Sequence, residues 1–130
     1  MENQKVVLIV DDDPDYLFQT GLVLERFGLR VIKAENRKEA EQLLSETKPD
    51  LCIFDLMMET QDSGFILAYR AKQLYPDVPV IIASAVTSET GLVFKLETME
   101  DKSWIKADIF LEKGIRPDQL QREINKLLEI

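Results

Sequence analysis

The sequence predicts an open, parallel α/β sheet folded as a single domain. Three observations predict it. Five short apolar runs recur along the chain, amphipathic stretches of helical period separate them, and three of the runs are apolar almost throughout. Strands buried on both faces of a parallel sheet lose the polar alternation of half-exposed strands. Strand–helix alternation at these spacings builds such a sheet through right-handed crossovers. At 130 residues the chain has the length of one domain, enough to bury about two-thirds of the surface of its unfolded form. No repeat, low-complexity tract or Gly/Ser-rich linker divides it, so residues 1–130 are read as one unit.

The first strand is expected at Val6-Val7-Leu8-Ile9-Val10. Asp13-Pro14 then supplies an N-cap with proline at the first helical position. That helix runs to about Phe27, with Gly28 as its stop. Leu29-Arg30-Val31-Ile32 is the second strand. Asn36, three residues before Glu39, makes a capping-box-like opening for a helix with Ala40, Leu43, Leu44 and Thr47 on one face. Leu51-Cys52-Ile53-Phe54 is the third strand, and Leu67, Ala71 and Leu74 form the next helical stripe, stopped before Pro76. Val78-Pro79-Val80-Ile81-Ile82-Ala83 and Ile109-Phe110-Leu111 are the last two strands. Pro117 opens a final helix in which Leu120, Ile124, Leu127 and Leu128 keep the helical spacing. Between Val86 and Lys106 the period is mixed, and a long loop with a short helix around Glu100 to Lys106 is expected.

Composition excludes several chemistries. The chain has no histidine, which removes Ser-His-Asp and Cys-His catalysis, histidine-ligated metals and an internal phosphohistidine. One cysteine, Cys52, leaves no disulfide framework and no cysteine zinc cage. A net charge of −8 argues against direct DNA binding, which calls for a basic surface. No apolar run approaches the roughly 20 residues of a membrane span. The opening Met1-Glu2-Asn3-Gln4-Lys5 carries no leader pattern, so the expected location is the cytoplasm.

The chemistry-bearing residues stand where the strands end. Asp11 and Asp12 follow the first run, Asp55 follows the third, Ser84 ends the fourth, and Lys113 lies just beyond the fifth. Ligands of open α/β sheets bind outside the carboxyl ends of the strands, where strand order reverses. Three carboxylates gathered there repel one another, so either one holds a proton or a hard divalent cation binds. Mg2+ suits oxygen ligands and keeps positions for water or phosphate. A carboxylate beside Mg2+ and a lysine is also a plausible phosphoryl acceptor. Each residue has a structural alternative. The Asp11-Asp12-Asp13 run can be a helix start, which is the preferred reading for Asp13. Asp55 can be a loop N-cap, Ser84 a small structural residue and Lys113 a solvated side chain. Their conjunction in order at four strand ends favours function.

Leu8-Ile9-Val10-Asp11-Asp12-Asp13-Pro14, Phe54-Asp55-Leu56-Met57-Met58, Val80-Ile81-Ile82-Ala83-Ser84-Ala85 and Phe110-Leu111-Glu112-Lys113 resemble the receiver domain of two-component response regulators, over essentially the whole chain. The resemblance implies a flavodoxin-like, doubly wound, five-stranded parallel sheet of order 2-1-3-4-5. It implies that Asp55 is the phosphoacceptor and that Mg2+ is held by Asp12 directly, by Asp11 mainly through water, by Asp55 and by the backbone carbonyl of Met57. Ser84 would bond the phosphoryl oxygen, Lys113 would be its charged partner, and Phe110 occupies the aromatic switch position. Met57 and Val86 would flank the approach of hydrolytic water, which implies a long-lived phosphoaspartate.

The chain departs from the family pattern in three places. Gly114 stands where a proline usually follows the lysine through a cis peptide. A non-proline cis bond costs about 2.5–4 kcal/mol, so a trans bond and a less well aimed Lys113 are expected. Glu59 replaces the usual proline after the acceptor, in a segment to Gly64 that is one residue longer than common. The connection from Ser84 to Lys113 is also long, which implies an atypical output face.

The function expected is that of a stand-alone, phosphorylatable receiver with no output domain, not an enzyme beyond its own aspartyl phosphorylation and dephosphorylation. Its expected partners are a sensor histidine kinase or phosphotransfer protein and a downstream protein target. A phosphorylation-independent interaction module on the same fold is the alternative. An aspartate-nucleophile phosphohydrolase opening on Asp11-x-Asp13 is a third reading, weakened by the lack of a later acidic pair after a strand.

Overall fold

The computed structural model describes residues 4–56, 58, 63–84 and 107–130. Its elements follow the order β1 (Val6–Val10), α1 (Pro14–Arg26), β2 (Arg30–Ala34), α2 (Arg37–Glu46), β3 (Leu51–Asp55), α3 (Ser63–Leu74), β4 (Val80–Ser84), β5 (Ile109–Glu112) and α4 (Pro117–Leu128). The strands make one parallel sheet in the order β2-β1-β3-β4-β5. The expected loop and short helix before Lys106, like Met57 and Val86, lie outside the described residues.

Apolar side chains alternate between the two faces of this sheet, and each face has its own helices. Leu8, Val10, Cys52, Phe54, Val80 and Ile82 pack under Ala40 and Leu44 of α2 and Leu67, Ala68 and Ala71 of α3. Val7, Ile9, Leu51, Ile53, Ile81 and Ala83 pack under Leu17 and Leu24 of α1 and Leu120 and Ile124 of α4. The three inner strands are buried almost end to end, whereas the edge strands β2 and β5 are part-exposed. Covering both faces is what makes near-continuous apolar runs tolerable at the centre and unnecessary at the edges.

Local signals set most boundaries. The Asp13 carboxylate accepts from the amides of Asp15 and Tyr16, and Pro14 opens α1. Gly28 takes φ +88°, and the amide of Leu29 donates back to Leu24 at 3.2 Å. Leu29 therefore closes the helix, and β2 starts one residue later than expected, where the Arg30 amide donates to Lys5. The Asn36 side chain caps α2 through Glu39, but Glu39 returns its bond to the amide of Glu35, one residue outside an ordinary capping box. Val78 belongs to a turn closed on Tyr75, so β4 begins after Pro79. Leu74 is 45% exposed and does not extend the buried stripe of α3.

β3 and β4 run one residue further than the apolar runs, through Asp55 and Ser84. Both residues are thereby fixed by the sheet's own hydrogen bonds.

Candidate functional site

β1 and β3 lie side by side at the point where strand order reverses, so their carboxyl ends meet. Asp11, Asp12 and Asp55 each place a carboxylate oxygen there, all within 4.8 Å of one another. Asp11 is fully buried. Its Oδ1 accepts from the Asp13 amide at 2.9 Å, and its Oδ2, with no directed hydrogen bond, faces the Lys113 ammonium at 2.6 Å. Asp12 is exposed at the mouth. Asp55 is only 5% exposed, with Oδ1 3.2 Å from Lys113 Nζ. Asp13 is spent on capping α1, which is the structural reading preferred for it.

Lys113 reaches the cluster from the end of β5, where its amide donates to the Ser84 carbonyl at 2.9 Å. No cis peptide occurs among the described residues, so the Lys113–Gly114 bond is trans. The trans bond does not prevent Lys113 from spanning Asp11 and Asp55, although its shorter contact is to Asp11. Ser84 is buried at the end of β4, next to the residue paired with Asp55. Phe110 is 40% exposed, and its ring meets Phe65 edge-on at 6.1 Å. Met57 lies outside the described residues, and so does its carbonyl.

Two contributors are missing from the sequence reading. The Tyr16 ring lies 4.8 Å from Lys113 Nζ. Its position in the first turn after the carboxylates was a usable signal, but an aromatic at helical spacing reads equally well as core. Gly64 at the start of α3 donates to the Leu56 carbonyl at 2.8 Å and lies against the backbone of Asp55. Nothing in a lone glycine distinguishes that role from a loop.

Burial governs the electrostatics. It pushes the Asp55 carboxyl up to about 6, helped by the negative charge of Asp11 and opposed by Lys113. Burial also raises Asp11, against the Lys113 contact and the Asp13 amide. Burial works against the charged Lys113, but its contacts with Asp11 and Asp55 outweigh that and hold the ammonium above its ordinary value. Cys52 is driven to about 12 by burial and is no nucleophile. The donor set fits a hard divalent cation: three carboxylates converge, and one ammonium leaves them over-supplied with negative charge.

A stability prediction follows for Asp55. Its folded value lies above the unfolded one, so the stability contributed by its bound proton is full below about pH 4 and lost as pH rises through about 6. Asp55→Asn removes the buried charge and is expected to stabilise the protein by about 2 kcal/mol at pH 7.5. Melts from pH 7.5 down to 4.5 should show that advantage narrowing. A gap independent of pH would show that the Asp55 charge is not its source.

The described residues therefore present an acidic, lysine-bridged pocket at the switch point of a 2-1-3-4-5 sheet. The family model of the response regulator receiver domain matches residues 7–125. The chain belongs to that family. It is 31% identical over 95% of its length to the phosphate regulon transcriptional regulatory protein PhoB of Pseudomonas aeruginosa, of which it spans about half, 52%. It is 32% identical over 94% of its length to protein PilH of the same organism, covering 96% of that protein. A CheY-like receiver domain from Methanospirillum hungatei superposes with TM-score 0.80 at 27% identity, over 98% of this chain and 95% of that one. The response regulator TrrA of Thermotoga maritima, solved in complex with Mg2+ and BeF, superposes with TM-score 0.78 at 26% identity, over 96% of this chain and 100% of that one. The chain is thus a receiver domain of two-component signalling, a signalling fold rather than a classical enzyme. No helix among the described residues is long and apolar enough to cross a membrane.

Proposed function

We propose that this receiver accepts a phosphoryl group on Asp55 from a phosphohistidine of a sensor kinase or phosphotransfer protein. The observation that carries the reading is the Lys113 ammonium, 3.2 Å from Asp55 and 2.6 Å from Asp11, among three carboxylates at one sheet end. In the transfer, an Asp55 carboxylate oxygen forms the new O–P bond while the N–P bond breaks, its electron pair returning to the imidazole. Lys113 stabilises the negative charge of the moving group. Asp12 would hold Mg2+ directly, Asp11 through water, with Asp55 and the Met57 carbonyl completing the protein's share. Bound there, Mg2+ would neutralise charge on the phosphoryl oxygens. Both oxygens of Asp11 face other groups and Asp12 is exposed, which supports this division.

Ser84 is proposed to donate to a phosphoryl oxygen, and Phe110 to turn inward in response. The burial of Ser84 beside the acceptor strand and the half-exposed ring of Phe110 support both roles. The net charge of −8 supports output through a protein partner rather than DNA. The match over 96% of PilH supports the stand-alone reading. Gly114, by leaving Lys113 without the usual cis-proline, favours a phosphorylation-independent module, but the reach of Lys113 to Asp55 across a trans bond argues against that alternative. Asp13, occupied as a helix cap, argues against the phosphohydrolase.

The test is incubation with Mg2+ and acetyl phosphate followed by mass mapping. One phosphoryl group on Asp55, absent from Asp55→Asn, is expected. Label on Asp11, or none under conditions where the Asp55 carboxyl is ionised, would overturn the reading.

A further inference from the structure

We propose that Tyr16 is a positioning residue for Lys113, its ring face forming the wall that keeps the ammonium directed at Asp55. The inference rests on the proposed phosphoacceptor role of Asp55. The Lys113 ammonium ends a flexible four-carbon stem, and the next residue, Gly114, has no side chain to pack against it. The ammonium lies 3.2 Å from Asp55, and its shorter contact, 2.6 Å, is to Asp11. Any cation taken by the carboxylates competes for that contact. Once it weakens, the remaining partners of Nζ among the described residues are Asp55 at 3.2 Å and the Tyr16 ring at 4.8 Å.

A ring face attracts an ammonium as an aliphatic side chain of equal bulk does not, and more so when partly shielded from water. Tyr16 is itself well held. Its amide donates to the Asp13 cap at 3.4 Å, in the first turn of α1. Burial raises its hydroxyl above the ordinary value, so the ring stays neutral across the physiological range. The first turn of α1, immediately after the carboxylates, thus sets the direction of a lysine more than ninety positions later in the chain.

The experiment compares Tyr16→Leu and Tyr16→Phe with the parent, with thermal melts to establish that each is folded. Tyr16→Met serves if the leucine variant is not. Tyr16→Leu is expected to load from acetyl phosphate about three- to tenfold more slowly at saturating Mg2+, and the phenylalanine ring to restore loading to within about twofold. The second readout is side-chain NMR of Lys113. Its Hε protons should be shifted upfield by the ring in the parent and in Tyr16→Phe, and should relax to ordinary values in Tyr16→Leu. Equal loading by leucine and parent, or a Lys113 shift indifferent to the ring, overturns the positioning role. If the parent takes no phosphate, the NMR comparison still decides the position of Lys113, and it is the phosphoacceptor role that fails.

Discussion

Asp12→Ala is expected to lower Mg2+-dependent phosphorylation by at least about a thousandfold, the largest effect of any single change outside the acceptor itself. Asp11 cannot take over. One of its oxygens holds the Asp13 amide at 2.9 Å and the other faces Lys113 at 2.6 Å, so recruiting it would strand a buried charge. Asp12 is the exposed carboxylate of the three, able to meet a hydrated cation without dehydrating it fully. The same electrostatics give Lys113→Ala the opposite sign on the metal. Losing an ammonium that spans two of the carboxylates should tighten Mg2+ binding several-fold while slowing phosphoryl transfer. Calorimetric titration with Mg2+ measures the first effect and acetyl phosphate loading the second. Normal loading of Asp12→Ala at low Mg2+ would remove Asp12 from the metal site. An unchanged Mg2+ affinity in Lys113→Ala would mean that the ammonium does not compete for these carboxylates.

The inner strands were legible because they are buried on both faces, which writes an unbroken apolar run into β1, β3 and β4. Helix starts were legible where a side chain does the capping, as at Asp13 and Asn36. Strand ends were harder to place, because hydrogen bonding and not hydropathy decides them. Asp55 and Ser84 continue the ladder although they interrupt the apolar pattern. Leu74 shows the reverse error, an apolar residue at helical spacing that ends in solvent because its helix stops there. At the site, position after a strand was enough to gather Asp11, Asp12, Asp55 and Lys113. It could not reveal which carboxylate Lys113 contacts more closely, since that depends on where a long side chain comes to rest. Nor could it reveal Tyr16 and Gly64, whose importance lies in contacts between distant segments rather than in any local pattern.

Gly64→Ala separates helix propensity from packing. Alanine is favoured over glycine by about 1 kcal/mol in a helix interior and by less at this second position of α3, so propensity alone predicts a slightly stabilised helix. A Cβ at Gly64, however, would lie 2.6 Å from the carbonyl oxygen of Asp55 and 2.8 Å from Cα of Leu56. Both are backbone atoms at the end of β3, and the Gly64 amide is tied to the Leu56 carbonyl at 2.8 Å, so neither side can yield cheaply. Overpacking of this kind costs about 1–3 kcal/mol or more and should prevail. The variant is expected to melt about 10 °C lower and to load phosphate poorly, because relieving the clash displaces Asp55. Gly21 in α1 is the control. A Cβ there meets Lys33 Cε at 2.8 Å, the far end of an exposed, flexible side chain that can swing aside. Gly21→Ala should therefore keep part of the propensity gain and melt at or slightly above the parent. If Gly64→Ala behaved like Gly21→Ala in thermal melts and in loading, the close approach of α3 to the acceptor backbone would not be holding Asp55 in place.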